Sequence, residues 1–158
     1  DFKYWNNDLG VSYSHAPHYR ETAAAAILEM RRQVPQDVFD AEGLLQKGLL
    51  LRHLILPGQY RDSMRILDWV RASLGEETLV SLMSQYTPLY RAKEIKALSR
   101  KLTTFEYEKV IDYFFEIGLK NGFMQKRSSA TGEYTPTFDL SGVAAAESFM
   151  KREENHHD

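Results

Sequence analysis

The chain has 158 residues, a hydrophobic fraction of 43% and a formal net charge of -2, which predict one domain with a substantial core. The slightly acidic balance argues against binding to nucleic acid or to an anionic membrane surface, and no apolar run approaches the ~20 residues of a membrane-spanning helix. Cysteine is absent, which excludes disulfides and thiolate metal sites within the chain. The simplest expected location is the cytoplasm.

The first third of the chain predicts a short strand, a polar loop and a helix. The strand covers 1–4 (DFKY), and the loop covers 5–20 with room for one helical turn. Four consecutive alanines and apolar residues at helical spacing predict a helix over 21–34, which Pro35 ends. We expect a connection over 36–47, with a helical turn near its end.

The stretch 48–58 reads GLLLRHLILPG and predicts a strand buried on both faces, as in a parallel sheet covered by helices. Arg52 and His53 interrupt it. Because successive strand residues point to opposite faces, one of the two must face the inside of the sheet or barrel. A buried Arg requires an anion, which favours a site at Arg52; the alternative is a structural Arg paired with a helix carboxylate. His53 is expected to be a hydrogen-bonded core histidine.

The rest of the chain continues the alternation of strands and helices. A helix is predicted over 62–74, capped by Asp62 or Ser63, and it is followed by a strand over 78–85 and a loop over 86–101. The next helix runs from the capping box Thr103–Glu106 to Gly118 and precedes a strand over 121–125. We expect an extended segment over 128–143 and a tail helix over 144–158.

This order predicts an α/β fold with a mostly parallel sheet and right-handed crossovers. We expect one domain over 1–143 and a separate tail over 144–158, which is either helical or disordered. In folds of this class, ligands bind at the carboxyl ends of the strands.

Asp1 and Lys3 lie two apart on the first strand, so their side chains share a face. A carboxylate and an ammonium group together can hold a zwitterion such as an amino acid; the alternative is a plain ion pair at a chain end. Gln85 and Tyr86 end the third strand at the predicted ligand-binding edge, where the alternative is ordinary packing. His15 and His18 have a spacing that suits a metal, but without a third ligand a solvated loop is the better interpretation.

Six segments in collinear order resemble the later half of radical SAM proteins, and most closely the uncharacterised iron–sulfur proteins related to pyruvate formate-lyase activating enzyme. They are DFKYW, YSHAPHY, LEMRRQV, GLLLRHLILPG, SLMSQYTPLYRA and LTTFEYEKVIDYFFEIGLKNGFMQ. The resemblance covers roughly residues 1–140. It implies that the chain is the C-terminal half of a partial (β/α)6 barrel, and the opening on DFKY rather than Met agrees with a fragment of a longer protein.

The resemblance also implies roles for four residues. Asp1 and Lys3 match the D-x-K pair on the family's fourth strand, where the Lys meets the carboxylate of S-adenosylmethionine and the Asp lies near its methionyl end. Arg52 matches the Arg on the fifth strand. Gln85 stands where the activating enzyme has a histidine that touches S-adenosylmethionine, so we expect only that Gln85 can take over that role.

The activity implied for the parent protein is that of an oxidoreductase of the activating-enzyme type. A [4Fe–4S] cluster on a CxxxCxxC loop reduces S-adenosylmethionine, and the resulting 5′-deoxyadenosyl radical abstracts hydrogen from a glycyl radical enzyme or a small substrate. This chain lacks that loop, so we expect it to be inactive without the N-terminal half of the barrel. The alternatives are a non-redox ligand-binding or interaction module, or a subunit that dimerises through the open sheet edge at Asp1.

Overall fold

A computed structural model describes residues 1–124 of the protein. Its elements, in chain order, are α1 (Asn7–Ser14), α2 (Tyr19–Gln33), β1 (Val38–Phe39), β2 (Leu45–Lys47), β3 (Leu50–Leu54), α3 (Tyr60–Leu74), β4 (Leu79–Met83), a 3-10 turn (Tyr90–Lys93), α4 (Thr104–Glu116) and β5 (Gly122–Met124). The predictions for 128–143 and 144–158, and the domain boundary between them, lie outside the described residues. No helix among residues 1–124 is long and apolar enough to cross a membrane.

A three-stranded parallel sheet in the order β3-β4-β5 forms the centre of the fold. The register pairs Leu51 with Val80 and His53 with Leu82, and α3 and α4 connect the successive strands. The predicted α/β class and the parallel sheet are therefore confirmed. A separate two-stranded antiparallel sheet joins β1 to β2.

The helices cover one face of the sheet. Leu51, His53 and Ile55 alternate along β3 and its extension, and all three are buried. Leu51 and Ile55 pack in one hydrophobic core with residues of β4, α3 and α4, among them Ile66, Leu67, Val70, Val80, Leu82, Tyr107, Val110 and Phe114. The alternation follows from the pleat of the strand, in which neighbouring side chains point to opposite faces.

The prediction that the strand at 48–58 is buried on both faces is wrong within the described residues. Leu50 is 41% exposed, and the Arg52 side chain is 53% exposed. Phe123 of β5, which is paired with Ser81, is also exposed. The open face, meaning the sheet face away from the helices, is thus only partly covered. The apolar composition of a strand therefore does not show whether one or both of its faces are buried.

Two local predictions are corrected between residues 5 and 47. The polar stretch 5–20 contains α1, because the Asn6 side chain accepts a hydrogen bond from the Asp8 N–H and caps the helix. The connection 36–47 forms the β1–β2 hairpin in place of a helical turn. Its turn is organised by Asp40, whose carboxylate accepts from the Glu42 and Leu44 N–H groups, and by Gly43 at φ 80°.

The predicted strand at 1–4 and the predicted cap of α3 also differ from the structure. Residues 1–4 run extended beside β3, where the Phe2 N–H donates to the Arg52 carbonyl at 3.0 Å, but they form no regular ladder. Helix α3 begins at Tyr60 after Gln59, so neither Asp62 nor Ser63 is its cap. Both of these side chains instead bind other parts of the chain.

The predicted capping box at α4 is confirmed and is part of a larger network around Glu106. The Glu106 carboxylate accepts two hydrogen bonds from Arg100, at 2.7 and 2.8 Å, and one from the Gly58 N–H at 2.6 Å. It also accepts from the N–H and the hydroxyl of Thr103. Glu106 therefore ties the start of α4 to the Pro57-Gly58 turn that follows β3. The Arg100 guanidinium, with the N–H groups of Thr103 and Gly58, holds the pKa of Glu106 well below its usual range.

We expect Glu106→Gln to lower the free energy of unfolding by about 1.5–3 kcal/mol at pH 7, because hydrogen bonds to a buried charge are lost. A carboxyl with a depressed pKa stabilises the fold above its unfolded pKa of 4.5 and loses that contribution as the pH falls. Urea denaturation at several pH values should therefore show the gap between the two proteins closing below pH 4.5.

The matched control for this variant is Glu29→Gln. Glu29 is an exposed carboxylate that pairs with Arg32 on α2, so its loss should leave the unfolding midpoint unchanged. Equal destabilisation by both variants would contradict a specific role for Glu106.

Candidate functional site

The open face gathers three of the four predicted site residues. Asp1 Oδ1 lies 3.6 Å from Arg52 Nε, and the Arg52 Nη2 group also contacts the Met83 sulfur at 3.6 Å. Phe2 is fully buried in the core, whereas Asp1 and Lys3 on either side of it are exposed. Since Arg52 is half exposed, the ion pair with Asp1 contributes little to stability, and both groups stay available to a ligand.

His53 fixes the segment that carries Asp1 and Lys3. Its Nδ1 lies 2.7 Å from the Phe2 carbonyl oxygen, and its Nε2 lies 2.8 Å from the Ser63 hydroxyl. A carbonyl can only accept, so Nδ1 carries the proton and Nε2 accepts from Ser63 in the neutral ring. Burial lowers the pKa of His53, against the opposing effects of the Phe2 carbonyl and Asp62. The prediction of a hydrogen-bonded core histidine is confirmed.

Two more side chains hold the same segment. The Lys3 N–H donates to the Tyr19 hydroxyl at 2.9 Å, and that hydroxyl donates to the Asp1 carbonyl. The Asp62 carboxylate accepts from the N–H groups of Trp5 and Asn6, both at 2.8 Å. The sequence analysis missed Tyr19 and Asp62 as residues that position the site. No sequence pattern predicts a hydrogen bond between a side chain and the backbone of a distant segment.

A cavity of about 220 Å³ lies beyond the carboxyl ends of β3 and β4. Its lining residues are Lys3, Tyr4, Tyr13, Leu54, Leu56, Tyr86, Ala92 and Leu98. The Tyr86 hydroxyl donates to the Leu98 carbonyl at 2.8 Å, which fixes the ring in the wall, and burial raises the pKa of Tyr86. Lys3 is the cationic residue among these lining groups, so the cavity suits an apolar ligand with an anionic end.

Gln85 lies at the carboxyl end of β4, the central strand. Its Oε1 atom is buried, as is the Ser84 hydroxyl oxygen, and within residues 1–124 neither has a hydrogen-bond partner. A buried polar atom without a partner costs about 1–3 kcal/mol, so a ligand donor at this point would be stabilised. No hydrogen bond or ion pair in the described part of the chain joins Gln85 to Asp1, Lys3 or Arg52.

His15 and His18 lie between α1 and α2 on the surface of the protein. Both are exposed and adopt the left-handed conformation, with φ of 51° and 57°, at the end of α1 and the start of α2. No cluster of three His, Cys, Asp or Glu side chains with metal-binding geometry occurs within residues 1–124. The solvated-loop interpretation describes their exposure correctly. The two residues nevertheless lie at helix ends, His15 directly after α1 and His18 directly before α2.

Comparison with known proteins adds one relative. An uncharacterized protein of Methanocaldococcus jannaschii is 30% identical over 115 residues, which is 71% of this chain. The chain spans only 29% of that protein's length. No family model matches the chain, and no solved structure matches it.

The burial of His53 generates a prediction on pH dependence. A histidine with a lowered pKa stabilises the fold fully above its unfolded value of 6.5, and this contribution declines as the pH falls below 6.5. We expect His53→Gln to lower the free energy of unfolding by about 1–3 kcal/mol at pH 7, because two buried hydrogen bonds are disturbed. The gap between the two proteins should narrow between pH 6.5 and 5 in urea denaturation.

The control is His15→Asn, which replaces an exposed histidine by a residue that tolerates the left-handed conformation. This variant should keep the wild-type pH profile. A His53→Gln protein whose unfolding midpoint follows the wild-type pH dependence in parallel would contradict the assignment.

Proposed function

We propose that this chain is the later part of a radical SAM barrel and that its open face holds the methionine end of S-adenosylmethionine. The observation that carries the proposal is the placement of Asp1, Lys3 and Arg52 on the side of a parallel sheet away from its helices. In a barrel, that side is the interior.

The residues present fit the amino acid end of S-adenosylmethionine. That end carries a carboxylate, which Lys3 and Arg52 would bind, and an ammonium group, which would donate hydrogen bonds to the Asp1 carboxylate. The buried Gln85 Oε1 atom, which has no hydrogen-bond partner within residues 1–124, would accept a further donor. When bound and reduced in the whole enzyme, S-adenosylmethionine supplies a 5′-deoxyadenosyl radical that abstracts hydrogen; these side chains bind and orient it.

The residues of this chain do not fit an iron–sulfur cluster. There is no cysteine in the sequence, and residues 1–124 hold no cluster of three metal-ligating side chains. In this proposal the [4Fe–4S] ligands belong to the N-terminal half of the barrel, which the chain would meet along residues 1–4. The match covers 29% of the length of the Methanocaldococcus jannaschii protein, which agrees with a parent protein longer than this chain. A glycyl radical enzyme or a small substrate, and a cytoplasmic location, complete the proposal.

Lys3→Ala in the full-length parent protein is expected to weaken S-adenosylmethionine binding by about 10- to 100-fold, the range for losing a hydrogen bond to a charged group. Isothermal titration with S-adenosylmethionine measures this directly. Lys47→Ala is the matched control, because Lys47 is an exposed lysine on the β2 hairpin strand.

An unchanged dissociation constant for Lys3→Ala would remove Lys3 from the site. A parent protein that contains no CxxxCxxC motif and does not bind S-adenosylmethionine would overturn the whole proposal. That outcome would favour the non-redox α/β binding module.

A further inference from the structure

A second concave site lies on the helical side of the segment 1–5, away from Asp1, Lys3 and Arg52. It has a volume of about 440 Å³ and is bounded by Trp5 and by the first two turns of α3. Trp5 packs beside the core residue Phe2, with ring centroids 6.3 Å apart, so this wall is fixed by the core. We call this cavity the arginine pocket, after Arg20, Arg61 and Arg65 in its lining.

The lining of the arginine pocket has an excess of positive charge, because it contains three arginines and one carboxylate, that of Asp62. Arg61 and Arg65 are exposed, lie four residues apart on α3 and form no ion pair with any carboxylate among residues 1–124. Arg61 lies over the Tyr60 ring at 5.7 Å. Like charges at this helical spacing repel each other, so a bound anion would relieve an unfavourable interaction.

Asp62, the carboxylate in the pocket lining, forms hydrogen bonds with backbone donors and no ion pair with Arg61 or Arg65 among residues 1–124. The two donors are the N–H groups of Trp5 and Asn6. Glu21 pairs with Arg20, whose guanidinium also lies 5.1 Å from the centre of the Trp5 ring. Arg20 therefore forms a wall of the pocket and is held by its ion pair with Glu21 and by its contact with the Trp5 ring. Arg61 and Arg65 are the two guanidinium groups open to a ligand.

We infer that the arginine pocket binds the phosphate group of a small phosphate monoester. A guanidinium presents a planar fork of N–H donors that matches the oxygens of phosphate, and two such groups can share one dianion. The volume exceeds that of a phosphate ion and lies in the range of small-molecule sites, so the organic part of the ester fits beside Trp5. The positive end of the α3 dipole adds to the attraction but does not carry the argument.

Trp5 reports on the pocket directly, because it is one of two tryptophans in the chain and forms part of the pocket wall. We expect its fluorescence to change saturably when the 158-residue chain is titrated with glycerol phosphate. Inorganic phosphate forms a second arm and should bind more weakly. A titration with sodium chloride at matched ionic strength corrects for the screening of charge interactions by salt. Trp5→Phe should abolish the fluorescence signal, while calorimetry should still detect binding.

Arg61→Gln and Arg65→Gln should each weaken glycerol phosphate binding by about 10-fold or more, the effect of one hydrogen bond to a charged group. Both side chains are exposed, so the variants should keep the wild-type melting temperature. Arg32→Gln is the matched control: it removes an exposed arginine on α2 that is paired with Glu29, and should leave binding unchanged.

Three results would overturn the inference. They are no saturable signal or heat with glycerol phosphate, equal weakening by Arg32→Gln, and binding of inorganic phosphate but not of the ester. The test is independent of the proposed radical SAM role, because S-adenosylmethionine carries no phosphate. Lys3→Ala should therefore leave glycerol phosphate binding unchanged.

Discussion

Both candidate sites depend on the two hydrogen bonds of the buried His53 imidazole. The ring joins three separate parts of the chain, because its two nitrogens bind the Phe2 carbonyl and the Ser63 hydroxyl from a position on β3. Residues 1–4 form no regular ladder with β3, so side chains must hold them in place. A neutral histidine satisfies this need at low cost, since it supplies one donor and one acceptor without placing a charge in the core.

The pleat of the sheet then separates packing from ligand binding. His53 and its alternating neighbours enter the core, and Arg52 necessarily points to the open face. The same alternation in residues 1–4 buries Phe2 and exposes Asp1 and Lys3. Opposite charges therefore meet at 3.6 Å on a surface that contributes little to folding stability. This separation allows the charged residues to be selected for a ligand with little effect on the core.

Sequence patterns predicted those parts of the fold that rest on local chemistry. The amphipathic spacing of α3 and α4, the Thr103–Glu106 box and the apolar strands all appear in the structure, and the alternation at Arg52 and His53 was readable. The β1–β2 hairpin was missed because its turn rests on the Asp40 side chain, and α1 was missed because its polar composition hid the Asn6 cap. The contacts of His53 with Phe2, of Asp62 with Trp5 and of Glu106 with Gly58 could not be predicted, since each joins residues more than 45 positions apart.

The segment 1–5 relates the two candidate sites to each other. Asp1 and Lys3 face the open side, Phe2 enters the core, and Trp5 forms a wall of the arginine pocket. Four side chains or groups hold this short stretch: His53, Tyr19, Asp62 and the Arg52 carbonyl. Because its backbone is fixed by these contacts, a ligand on either side would meet side chains whose positions are already restricted. Binding then requires less ordering of the protein, which favours affinity. This matters at both sites, because exposed charges by themselves bind a ligand only weakly.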